Sequence, residues 1–196
     1  MHQCKDSLKL SMKSLLKMTK FLDAADVSGG QELTKVCETM LVDIQLPEEL
    51  VEAVLDAWLR GLGKADNATI MQSITLLSEK FGQILENEDS TASEFDEETL
   101  EVLAATRGLQ LVSWALRKGT NGSDNNQQLS TTFYQFAIDS LQSTSPDMRR
   151  LAVECIGMMS LSSKDLCTCN RDILVQVAAQ DLEEVEVRDQ ALKAIV

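Results

Sequence analysis

Two stretches decide the fold: Pro146-Asp-Met-Arg-Arg-Leu-Ala-Val-Glu-Cys-Ile-Gly157 and Val185-Glu-Val-Arg-Asp-Gln-Ala-Leu-Lys-Ala-Ile-Val196. Laid over each other at an offset of 39 residues, Met148 meets Val187, Arg149 meets Arg188, Ala152 meets Ala191, Val153 meets Leu192 and Ile156 meets Ile195. Both stretches carry apolar residues at helical spacing. The shared positions have physical readings. A small alanine lets the two helices of a hairpin approach closely, and the apolar partners fill the layer between repeats. An arginine at this place can bond to the next repeat. A period close to 40 residues is the length of one helical hairpin in HEAT and armadillo arrays.

Working outward, the rest of the chain reads as more helices. Ser145-Pro146-Asp147 is a cap, a first-turn proline and a first-turn acid, opening a helix to about Ser160. An eighth helix is expected over about Asp172–Ala179, and a ninth from about Glu183. Upstream, Pro47 opens a helix with Glu48 and Glu49 in its first turn, where the helix dipole favours acids, and Gly61 and Gly63 end it. Asp66 or Asn67 caps the next, whose apolar stripe runs through Ile70, Met71, Ile74, Leu77 and Phe81. Helices over about 3–22, 31–43, 94–118 and 129–142 complete the set. Core faces include Leu8, Met12, Leu15 and Leu16 in the first, and Leu33, Val36, Cys37, Met40 and Leu41 in the second. Trp58 and Trp114 fall on apolar stripes and read as packing residues. Gly29-Gly30 reads as a break, residues 86–98 as an acidic loop with seven acids and no base, and residues 119–128 as a flexible loop. The apolar 44% is Leu, Ala, Val, Ile and Met with only 4% aromatics, which suits helix packing better than a sheet. The expected fold is all-α: a HEAT/ARM-type α-solenoid of antiparallel helical hairpins, one segment over 1–196. The pattern is still helical at Val196, so the chain reads as part of a longer array.

Charge and composition narrow the function. The net charge of −13 should repel nucleic acid and anionic membrane. Residues 1–22 are the exception, with five lysines against Asp6 alone. Lys5, Lys9, Lys13 and Lys17 make one stripe, with ammonium groups about 6 Å apart on successive turns. They are the candidates for contact with a phosphate backbone, although a solvated helix face explains the same stripe, which lacks arginine and aromatic residues. Cys167-x-Cys169 with Cys155 nearby could suggest a metal, but zinc wants four ligands and the one histidine is His2. No metal and no cofactor are expected, and the odd count of five cysteines reads as reduced thiols of a cytosolic or nuclear protein. A single histidine leaves little for acid–base or nucleophilic relays, so no enzyme and no small-molecule substrate are expected. No apolar run approaches the ~18 residues of a membrane span.

The segment from Pro146 to Leu166 resembles the CAP-G-type HEAT subunit of condensin. That family carries Arg-x-Leu-Ala-Val-x-Cys-Leu-Gly followed by a Leu-x-x-x-Asp-hydrophobic turn. Here the pattern is Arg149 to Gly157 and Leu161 to Leu166, with Ile156 in place of leucine. The family's next hairpin ends in Ala-Leu-Lys-Ala-Ile, present as Ala191 to Ile195. The resemblance covers about residues 146–196 and extends more loosely to about residue 100. It implies a scaffold subunit that binds the kleisin and other condensin subunits in mitotic chromosome condensation. It also implies residence in the nucleus, on condensed chromosomes, with a cytoplasmic pool. DNA would be gripped by the whole complex, since this acidic segment lacks the clustered cations a DNA groove needs. Arg149, Ala152, Arg188 and Ala191 are the expected repeat positions. A generic HEAT or armadillo adaptor, serving transport or phosphatase assembly, is the alternative with the same fold.

Overall fold

The computed structural model describes residues 2–21, 26–43, 45–82, 96–118, 123–180 and 183–195, with side chains from Lys9 onward except at 123–125. Among these residues there are nine α-helices and no strand. They are α1 (His2–Met18), α2 (Val27–Val42), α3 (Glu48–Gly61), α4 (Asn67–Gly82) and α5 (Glu97–Lys118), then α6 (Ser123–Ser140), α7 (Pro146–Ser160), α8 (Lys164–Ala179) and α9 (Val185–Ile195). A 3-10 turn at Thr19–Phe21 follows α1. The protein has an all-α helical-repeat fold, and its chain divides into two compact units, residues 1–84 and 85–196.

In the first unit α3 packs against both α1 and α2, and α4 packs on α2. The core is built on α3, where Val54, Ala57 and Trp58 are fully buried, and on Cys37, Leu41, Ile74, Leu77 and Phe81. Pro47 precedes α3, with Glu48 and Glu49 in its first turn. Asp66 precedes α4 and accepts from the Thr69 backbone N–H at 2.8 Å; hydrogen bonding from the Thr69 side chain, and then from its backbone, holds the Asp66 carboxyl below the usual range. Gly29 and Gly30 do not break the chain. They lie in the first turn of α2, which Asp26 caps by accepting from the Gly29 N–H at 2.9 Å. Their use is close approach: a Cβ on Gly30 would stand 2.7 Å from the Gly61 carbonyl oxygen. Two expected core residues are also corrected, because Leu15 and Val36 are more than half exposed. They sit at the margins of helices whose buried seams are narrow: Leu16 in α1, and Cys37 and Leu41 in α2.

In the second unit each helix packs on the next, and α7 packs on α5 and α9 as well. This is the arrangement of stacked hairpins, where one helix of each hairpin meets its counterpart in the neighbour. Leu109, Val112, Ala152, Val153, Ile156 and Met159 fill the interior without exposure, and Trp114 is buried beside them. Removing each large aliphatic side chain from water contributes about 1.5–3 kcal/mol. At one crossing, α7 and α9 touch so closely that a Cβ on Gly157 would lie 2.6 Å from the Ala194 Cβ.

Asp96 caps α5, accepting from the Thr99 N–H at 2.8 Å, with Glu97 and Glu98 in the first turn. The earlier part of the expected acidic loop lies outside the described residues, as do residues 119–122 of the second loop. Residues 123–128 of that second loop are helical, because α6 begins at Ser123. α8 likewise begins at Lys164, eight residues before the expected start, behind an N-cap at Ser163. Both stretches are rich in polar, weakly helix-forming residues, and tertiary bonds accompany the helices that contain them. Ser130 of α6 bonds the Asn126 carbonyl and the Ser162 hydroxyl, and Asn170 of α8 is buried between α6 and α7.

Candidate functional site

The repeat positions converge on α7 and the turns around it. Ser145 caps α7 and aims the chain so that Arg149 emerges one turn later. The Arg149 guanidinium reaches in two directions. Nη1 donates to the carbonyls of Ser143 (2.8 Å) and Thr144 (3.1 Å), at the end of its own hairpin's turn. Nε and Nη2 grip the Glu183 carboxylate at 2.7–3.1 Å, in the turn between α8 and α9. The side chains are 18% and 10% exposed, so the pair is mostly shielded from water and from salt. Hydrogen bonding from Arg149 holds the Glu183 carboxyl below its usual range. Arg149 therefore joins the α6–α7 hairpin to the α8–α9 hairpin. Arg188 makes a different bond, from Nε to the Ala178 carbonyl at 3.1 Å, and so closes the end of α8 against α9. Ala152 and Ala191 are fully buried.

Four further bonds across these helices had no clear mark in the sequence. Asn170, without exposure, accepts from the Tyr134 hydroxyl at 2.7 Å and donates to the Ser160 hydroxyl at 3.0 Å, linking α6, α7 and α8. Ser113 donates to Glu154 at 2.8 Å between α5 and α7. The Cys155 thiol donates to the Leu109 carbonyl at 3.5 Å. The available signal for Asn170 was its register, since it falls on the stripe Leu166, Asn170, Leu174, Val177. Glu183 could have been found only by knowing which turn Arg149 faces.

The lysine stripe faces carboxylates. Lys9 makes an ion pair with Glu49 of α3 at 3.0 Å. Lys13 and Lys17 line a small groove of about 180 Å3 together with Glu49, Glu52 and Asp56 of α3. The Lys5 side chain lies outside the described residues. The stripe thus lies beside a matching acidic edge within its own unit, and its field toward an outside phosphate is reduced accordingly.

Cys155 is buried in the α5–α7 contact while Cys167 and Cys169 are exposed on α8. Residues two apart on a helix point different ways, so these three thiols do not form a ligand set. Among the described residues no group of three or more His, Cys, Asp or Glu could hold a metal ion, and no helix is long and apolar enough to cross a membrane.

No curated protein and no solved structure matches the chain. The family model for nuclear condensing complex subunits, C-terminal domain, matches residues 107–196. That stretch contains the hairpin joint at Arg149, the buried Asn170 and the close crossing at Gly157. Residues 107–196 thus carry the C-terminal domain of the condensin subunit 3 family.

Proposed function

We propose that this chain is one continuous scaffold segment of condensin that binds the kleisin subunit and supports, without strong contact of its own, the capture of DNA during mitotic chromosome condensation. The observation that carries the reading is the family match over residues 107–196, coinciding with helices that interlock through buried bonds rather than surrounding a reactive pocket. A rigid helical surface suits the holding of a partner segment. Weak direct DNA binding follows from the net charge of −13 and from the engagement of Lys9 by Glu49. The family is nuclear; residence on condensed chromosomes with a cytoplasmic pool is part of the proposal, as is a non-enzymatic role.

The test is capture of the chain by an immobilised kleisin fragment, paired with duplex-DNA binding at about 50 and 200 mM salt. Kleisin capture with weak DNA binding is expected. Absence of capture would overturn the kleisin reading. Tight DNA binding that falls steeply with salt would overturn the reading of the charge.

A further inference from the structure

The first unit contains a cleft of about 910 Å3 that the scaffold reading does not use. Its floor is the crossing of α2 and α3. A Cβ on Gly30 would stand 2.7 Å from the Gly61 carbonyl oxygen, and one on Gly61 would stand 2.8 Å from that of Gly30. Two glycines are needed for the helices to close at this point, and they leave their backbone at the base beside the Thr34 side chain. The walls come from the 3-10 turn, the end of α3 and the start of α4.

The cleft is positively lined in a chain whose net charge is −13. Lys20, Arg60 and Lys64 border it, with Lys35, which is paired with Glu32 at 2.9 Å, against the two carboxylates of Asp26 and Glu38. Both carboxylates are already engaged. Asp26 caps α2 through the Gly29 N–H, and Glu38 accepts from the Trp58 indole N–H and from the Lys80 ammonium. Arg60 is held at the wall by a 2.8 Å bond from Nη1 to the Thr19 hydroxyl. Lys64 follows Gly63, whose φ of 63° turns the chain away from α3 and sets the lysine at the rim.

We propose that this cleft binds a short acidic peptide segment, whose carboxylates meet Lys20, Arg60 and Lys64. The volume lies within the range of about 300–1,000 Å3 typical of concave ligand sites. The reach of the field favours a short anion over a long one. At physiological salt it extends about 8 Å, so a short anion responds to the local cations while a long one also meets the acidic surface around them. The site stands on residues 1–84 alone and holds whether or not a kleisin is bound.

The test is fluorescence anisotropy of a fluorescein-labelled hexaglutamate peptide with the 196-residue chain, alongside the hexaglutamine version and a short labelled DNA duplex. Hexaglutamate should bind, more weakly as salt rises, and hexaglutamine should not. Lys64→Glu, in an exposed turn, should weaken hexaglutamate binding about tenfold or more, because a like charge now faces the ligand. Lys9→Gln, in the same unit but outside the cleft lining and paired with Glu49, should change it less than about twofold. Circular dichroism of both variants guards against loss of fold. Equal binding of the two peptides, no effect of Lys64→Glu, or tighter binding of the duplex that Lys64→Glu abolishes would each overturn the proposal.

Discussion

Replacing Arg149 by alanine is expected to loosen the joint between the α6–α7 and α8–α9 hairpins. The guanidinium and its carboxylate partner are 18% and 10% exposed, so both are largely removed from water. Truncation leaves Glu183 a shielded carboxylate without its cation, and it removes the donor to the Ser143 and Thr144 carbonyls. Breaking a fully buried pair from one side costs about 3–5 kcal/mol, whereas an exposed pair contributes about 0–1 kcal/mol. The residual exposure brings Arg149→Ala to about 2–3 kcal/mol. Arg149→Lys keeps the charge and loses the fork, for about 1–2 kcal/mol. A cycle with Glu183→Gln should show a coupling of about 1–2 kcal/mol. The pH dependence has a definite sign. The folded carboxyl of Glu183 titrates below its ordinary value of 4.5, chiefly because it accepts from Arg149. Its contribution is therefore present in full above the unfolded pKa and is lost as pH falls through the folded one. The wild type should lose more stability on acidification than Arg149→Ala does. Urea unfolding followed by Trp114 fluorescence, in a Trp58→Phe background, reports on residues 85–196. A change below about 0.5 kcal/mol for Arg149→Ala, or strict additivity with Glu183→Gln, would refute the reasoning.

Three further outcomes are expected. Gly157→Leu should destabilise the second unit by about 2 kcal/mol or more in urea melts, since even a Cβ would lie 2.6 Å from Ala194; Gly157→Ala should cost less, because alanine's helix propensity offsets the clash by about 1 kcal/mol. Asn170→Ala should cost about 1–3 kcal/mol by removing the acceptor of the Tyr134 hydroxyl and the donor to Ser160, which keeps its own bond to the Ile156 carbonyl, and Tyr134→Phe about 1 kcal/mol, both readable in the same melts. In native protein near pH 8, Cys167 and Cys169 should react with iodoacetamide well before Cys37 and Cys155, as followed by peptide mass spectrometry; burial pushes the Cys37 thiol up to about 11 and the Cys155 thiol further still.

What the sequence by itself determined was whatever depends on neighbours along the chain. Ser145-Pro146-Asp147 specified the start of α7 because a cap, a fixed φ and a first-turn acid act within one turn, and the Ser145 hydroxyl does accept from the Met148 N–H. Pro47 with Glu48 and Glu49, and Asp66 before α4, marked helix starts for the same reason. The apolar stripes of α3 and α4 identified buried residues because a 3.6-residue period is a local property. The period of 39 residues and the family pattern were legible for the same cause.

Only the tertiary structure decided what depends on a partner distant in sequence. Gly29-Gly30 looked like punctuation because glycine is a weak helix former, yet the residues are helical and serve an approach to Gly61 that no local rule contains. Residues 123–128 and 164–171 looked like loop because their polar side chains favour turns; bonds across the hairpins, such as Tyr134 to Asn170, accompany their helical form. The lysine stripe was visible, but the facing carboxylates of Glu49, Glu52 and Asp56 belong to another helix. Arg149 was legible as a residue that reaches outward. That it closes on Glu183, 34 residues away, follows from the stacking of the hairpins, because an ion pair forms where packing brings two charges within about 3–4 Å and spares them from water.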